Sequence, residues 1–130
     1  MSRRARKRRQ PLCRARLMLV LFDNGTPRTL ARYLIAYHTV TEARARGWDR
    51  LENGELLAAA EAAGFEVIVT TDRNLRYQQN LSGRRIAVVV LGKGRWTLIK
   101  PHVGKVLTAV NAATAGGYVE VEIPDQADVD

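Results

Sequence analysis

Two aspartates stand just past the ends of short apolar runs. Asp23 follows Leu17-Met-Leu-Val-Leu-Phe22, and Asp72 lies two residues beyond Glu66-Val-Ile-Val-Thr70. Both runs read as strands buried on both faces, as in a parallel sheet. In open α/β sheets, ligands bind outside the carboxyl ends of the strands. If the two strands are neighbours, both carboxylates face one crevice. Paired hard oxygen ligands that leave room for several waters suit Mg²⁺ or Mn²⁺. Each residue also has a purely local use. Asp23 can form an Asx turn within Asp-Asn-Gly, and Asp72 can cap a following helix.

Glu55 is the third candidate. It falls in the first turn of a helix, where the dipole stabilises a carboxylate, and it either joins a cluster there or stays a solvated charge. Glu52 is a weaker competitor. Asn53 and Asn74 can offer amide oxygens to a metal, although a neutral ligand holds Mg²⁺ less well, and both equally read as caps. His38 and His102 have no carboxylate or cysteine at a ligand spacing, so they read as structural or surface residues, and no Ser-His-Asp order can be argued from them. Gly92-Lys-Gly-Arg95 lacks the Gly-x-x-x-x-Gly-Lys-Ser/Thr pattern of a P-loop. Arg73, Lys93, Arg95 and Trp96 are candidates to meet a phosphate chain and a stacked base, or they are solvated loop positions.

These residues need a scaffold. At 130 residues, with 46% apolar and 26% charged, the chain suits one globular domain. Thr26 and Pro27 read as the N-cap and first position of a helix with Leu30, Leu34 and Ile35 on its inner face. His38–Val40 is a short strand candidate, and Thr41–Arg46 a loose helical turn closed at Gly47. Asn53 caps a helix with Leu56, Leu57, Ala60 and Ala63 as its stripe, and Gly64 ends it. Asp72 caps a short helix over 73–79. Ile86–Leu91 is a third buried strand. A helix after Pro101 carries Leu98, Val103, Val106, Leu107 and Val110 on its stripe. Tyr118–Ile123 alternates as a half-exposed edge strand. Strands alternating with helices predict an α/β fold with a mainly parallel sheet.

The formal net charge of +8 invites a nucleic-acid partner, but the charge is localised. Residues 1–16 hold eight basic side chains and no acid, and the remainder balances thirteen basic against thirteen acidic residues. Three regions follow: a basic extension over 1–16, expected to be disordered; a domain over 17–123; and an acidic, frayed end over 124–130. The extension is either an arm for phosphate backbones or a segment without a specific role ahead of an alternative start at Met18. Leu17–Phe22 is too short for a signal h-region, and no stretch approaches the ~20 apolar residues of a membrane span. A single cysteine excludes an internal disulfide and a Cys-rich zinc site. It points to a reducing, cytoplasmic setting.

Leu-Phe-Asp-Asn-Gly-Thr-Pro (21–27), Asn-Gly-Glu-Leu-Leu-Ala-Ala-Ala (53–60) and Thr-Thr-Asp-Arg-Asn-Leu (70–75) resemble a family of small prokaryotic PIN-like proteins, itself similar to VapC-type toxin ribonucleases. The resemblance spans roughly 17–123. It implies a PIN-like three-layer sandwich with a sheet of about five strands. It also implies a metal-dependent endoribonuclease that uses Mg²⁺ or Mn²⁺, acts on RNA, and pairs with a small antitoxin protein; a homodimer is a further expectation. Asp23 matches the family's first-strand acid and Asp72 the acid of its Thr-x-Asp piece, while Glu55 is the candidate replacement for the helix acid. Asn24, Asn53 and Asn74 stand where many relatives carry acids, which leaves a lean set for holding two metals. The rival readings are a non-catalytic PIN-like module that binds protein or nucleic acid, and a flavodoxin-like nucleotide-binding domain. The last is weakened because no glycine-rich phosphate turn opens a helix.

Residues 1–15 contain almost nothing that a core would bury. Deleting them should leave the melting temperature nearly unchanged. A large loss in thermal denaturation would show that the extension packs on the domain.

Overall fold

The computed structural model describes residues 17–72 and 83–124. The basic extension, the expected helix over 73–79 with Arg73 and Asn74, and the acidic end over 125–130 lie outside the described residues.

Five strands form one sheet: β1 (Leu19–Phe22), β2 (Thr39–Glu42), β3 (Val67–Thr70), β4 (Ala87–Leu91) and β5 (Tyr118–Val121). Every pairing is parallel, and the spatial order is β2-β1-β3-β4-β5. The chain runs outward from β1 to β2, then crosses back to continue on the other side of β1. The reversal therefore falls between β1 and β3, and such a switch point opens a crevice at the carboxyl ends of the strands.

The side chains show why this sheet is covered on both faces. Successive strand residues point to opposite faces. Val20, Phe22, Val67, Val69, Ala87, Val89 and Leu91 join one buried cluster, while Leu21, Ile68, Val88 and Val90 join another. The first cluster is closed by Leu30 and Leu34 of the segment around α1 (Ala31–Leu34), by Leu98 and Ile99 of α3 (Trp96–Ile99), and by Val106, Ala109 and Val110 of α4 (Val103–Asn111). The second is closed by Leu56, Leu57 and Ala60 of α2 (Asn53–Ala62). The three central strands thus bury both faces, apart from exposed Leu19 at the start of β1, whereas edge strands β2 and β5 keep half-exposed residues.

Several local expectations change. Thr26 does not cap a helix: it is buried, and its hydroxyl donates to the Val69 carbonyl at 2.9 Å. Pro27 is the extended residue before a short 3₁₀ turn, Arg28–Leu30, that leads into α1. Ile35 keeps helical backbone at the end of α1 but is 60% exposed, turned away from the side that buries Leu34. Glu52, not Asn53, precedes α2, and no side chain caps it. Gly64 follows α2 at φ +92°, as a C′ residue should. The last helical region starts at Trp96, ahead of Pro101, which sits early in a 3₁₀ turn where its missing N–H costs nothing. β2 extends to Glu42, so the loose turn begins only at Ala43.

Two polar clamps fasten the amino-terminal edge of the sheet. His38 is buried; its Nδ1 accepts from the Met18 N–H at 3.2 Å, and Nε2 lies 2.7 Å from Asn111 Oδ1. An accepting Nδ1 leaves the proton on Nε2, which then donates to Asn111. Glu61, near the end of α2, accepts from the Arg84 guanidinium at 2.8 Å and from the N–H groups of Arg85 and Ile86. An acid near a helix carboxyl end opposes the dipole. Here three donors offset that and tie α2 to the start of β4.

Burial pushes the Glu61 carboxyl up, but the Arg85 N–H, the Arg84 guanidinium and the Ile86 N–H outweigh it and hold the group below its ordinary value of 4.5. A carboxylate with a depressed folded-state pKa stabilises the fold above its unfolded pKa, and that contribution fades as pH falls through the folded value. Glu61→Gln should therefore be less stable than wild type at neutral pH, with the gap narrowing in acid as pH falls below the ordinary value of 4.5 and through the lower folded-state value. Thermal denaturation across that range checks this; a gap independent of pH would contradict it.

Candidate active site at the β1–β3 edge

The register of β1 and β3 builds the site. Phe22 pairs with Val69, so the next residues, Asp23 and Thr70, emerge side by side at the carboxyl edge. Asp23 continues the ladder by donating its N–H to the Val69 carbonyl at 2.9 Å. Thr70 is fully buried, and its hydroxyl donates to Asp23 Oδ2 at 2.8 Å while accepting from the Asp72 N–H at 3.1 Å. One hydroxyl therefore links the Asp23 carboxylate to the backbone that carries Asp72.

The other oxygen of Asp23 is also held. Oδ1 accepts from the Asn24 N–H at 2.7 Å, and the Asp23 carbonyl accepts from the Thr26 N–H at 2.9 Å. The Asx turn read from Asp-Asn-Gly, which would use the Gly25 N–H, is replaced by a bond from the adjacent Asn24 N–H and a backbone turn closed at Thr26, and these orient the carboxylate. Asn24 turns its amide away, donating from Nδ2 to the Asp49 carbonyl at 2.8 Å, which ties this loop to the segment before α2.

Three loops meet here over glycines. A Cβ on Gly25 would stand 2.6 Å from Thr71 Oγ1, so only glycine fits without moving that hydroxyl. A Cβ on Gly94 would lie 3.5 Å from both the Gly25 carbonyl oxygen and Thr71 Cγ2. The segment Gly92–Arg95 therefore packs beside the acid edge. Lys93 is half-buried, Arg95 is exposed and precedes α3, and Trp96 is half-buried against the core.

On the β2 side, a cleft of about 210 Å³ opens next to Asp23. Glu42, Arg28 and Arg44 line it, and Arg28 Nε lies 3.4 Å from Glu42 Oε2. Sequence reasoning missed these three residues and Thr70. The signal for Glu42 was its place at the end of a short strand candidate, but the strand was read as ending at Val40. Pairing of Phe22 with Glu42 is what brings it to the edge.

The structure thus joins Asp23 and Asp72 through Thr70 but does not assemble the expected set. Glu55 lies exposed in the first turn of α2 and does not line the cleft. Among the described residues, no group of three or more His, Cys, Asp or Glu side chains is placed to hold a metal ion. Asn53 opens α2, while Arg73 and Asn74 lie outside the described residues. Among the described residues, no helix is long and apolar enough to cross a membrane. No family model, no curated protein and no solved structure matches the chain.

Thr70→Val removes the hydroxyl and leaves the Asp72 N–H without that partner. Loss of a hydrogen bond to a charged group costs about 1.5–3 kcal/mol. A urea titration should show a loss of that order for Thr70→Val, whereas Thr70→Ser, which keeps the hydroxyl, should lose clearly less. Equal losses would mean that the methyl group, not the bridge, matters.

Proposed function

We propose that the chain is a PIN-like, metal-dependent phosphodiester hydrolase acting on RNA, with Asp23 and Asp72 as its central acids. The observation that carries this reading is the Thr70 hydroxyl, which bonds the Asp23 carboxylate and the Asp72 N–H at the switch point of a parallel sheet. In this reading the protein is cytoplasmic and works as the toxin partner of a small antitoxin protein; a homodimer is compatible with it.

The donor set fits one hard cation better than two. Asp23 and Asp72 would hold a Mg²⁺ or Mn²⁺ with water as further ligands, and Glu42 is a further carboxylate lining the cleft beside Asp23. Bound there, the ion would acidify an attacking water and neutralise charge that develops on phosphorus oxygens. The chain's own residues supply position and charge. The Thr70 hydroxyl and the Asn24 N–H fix the rotation of the Asp23 carboxylate, which lowers the cost of arranging it for reaction. Arg44 lines the same cleft and is suited to a phosphate oxygen. Arg28 offers a second guanidinium, drawn toward Glu42. His38 is buried at the opposite edge of the sheet and takes no part.

A second reading is favoured by the lean acid set. With no group of three metal-ligating side chains among the described residues, the same edge serves a PIN-like module that binds protein or nucleic acid without cleaving it.

Cleavage of a mixed RNA pool separates the two. The nuclease reading predicts activity with Mn²⁺ or Mg²⁺, none in EDTA, and 5′-phosphate products, because water and not the 2′-hydroxyl attacks. Asp23→Asn and Asp72→Asn should each abolish it, while Glu55→Gln should leave it nearly intact. Cleavage that persists in EDTA or in the double mutant would contradict the metal mechanism.

A further inference from the structure

We infer that Tyr33 and Trp96 form a base-stacking platform for a nucleic-acid single strand that leaves the Asp23 edge across the β4–α3 loop. This inference rests on the phosphodiester reading above and says where its substrate lies. The two rings have centroids 5.6 Å apart and planes 32° from parallel. Trp96 is anchored by packing against the core, whereas Tyr33 is 42% exposed and keeps a ring face for a ligand. Exposure of aromatic surface continues along the chain, with Tyr37 at 54%. The Tyr37 and His38 N–H groups both donate to the Leu34 carbonyl, which closes the turn after α1.

Charge selects the occupant. Arg32 and Arg95, the chain neighbours of the two rings, are both exposed and have no ion-pair partner among the described residues. Aromatic faces beside guanidinium groups suit bases and phosphates together. Position supplies the continuity. Gly94, two residues before Trp96, packs on Gly25 and Thr71 at the acid edge. Carboxylates there repel a phosphate chain, so affinity must come from neighbouring surface, and this is the adjoining aromatic and basic surface. Bases in a duplex are already stacked on one another, so the platform takes a single strand. The 2′-hydroxyl plays no part in stacking, so RNA and DNA strands both qualify.

The test uses the full chain with Trp48→Phe, which leaves Trp96 as its one tryptophan. In EDTA, oligouridine and oligothymidine of about eight nucleotides are titrated against Trp96 fluorescence, with an abasic oligonucleotide and a blunt duplex as controls. Both single strands should quench Trp96, and the controls should not. Tyr33→Ala should weaken binding by about 5- to 100-fold, and Tyr33→Phe, which keeps the ring, should restore it. Anisotropy of labelled oligonucleotide with Trp48 retained gives the same affinities if Trp48→Phe folds poorly. Binding without quenching, unchanged by Tyr33→Ala, would overturn the platform. Metal-dependent cleavage by the same protein would then leave the hydrolase reading standing. Absence of both binding and cleavage would overturn both.

Discussion

Parallel pairing of β1 with β3 is the constraint on which the candidate site depends. With Phe22 opposite Val69, the first residues beyond the ladder are an aspartate and a threonine. Thr70 has no exposed surface, so its hydroxyl must find partners within the protein. It finds Asp23 Oδ2 on one strand and the Asp72 N–H on its own. A slip of one residue would move the central side chains to the wrong faces and separate these groups. The packing of the core and the geometry of the site are therefore fixed together.

The surrounding loops follow from that pairing. Loops after β1, β3 and β4 converge at Gly25, Thr71 and Gly94, and at Gly25 a Cβ would press on the Thr71 hydroxyl. The result is an edge with carboxylates at its centre, Glu42 with Arg28 and Arg44 on the β2 side, and Arg95 with the Trp96–Tyr33 pair on the β4 side. In the proposed reading, acids that would hold a cation are flanked by groups that suit phosphate and base. The opposite edge of the sheet is occupied by clamps in which both His38 ring nitrogens and both Glu61 carboxylate oxygens have partners.

The central strands were legible because a strand buried on both faces must be a continuous apolar run, and Leu17–Phe22 and Ile86–Leu91 can be little else. The placement of Asp23 and Asp72 just past two such runs was legible for the same reason. Strand order was not, since nothing local says that β3 returns beside β1. That gap concealed the role of Thr70, which reads as an ordinary β-branched strand residue until its neighbour is known. Glu42 was lost because edge strands are half-exposed and carry little apolar signal, so β2 appeared too short. Thr26 misled because a hydroxyl before a proline reads as a cap, while a buried carbonyl at Val69 offered it another partner. Glu55 fits a helix start by local rules, and those rules contain nothing about which way that helix faces.

Mn²⁺ binding measured by electron paramagnetic resonance, on wild type, Asp23→Asn, Asp72→Asn and the double mutant, tests the central claim most directly. If the two acids share one ion through the Thr70 bridge, wild type binds one Mn²⁺ per chain. Each single mutant then loses most of that affinity, and the double mutant loses little more than either, because groups acting on one ligand are not additive. Equal Mn²⁺ binding by all four proteins would contradict the claim and remove Asp23 and Asp72 from any metal site.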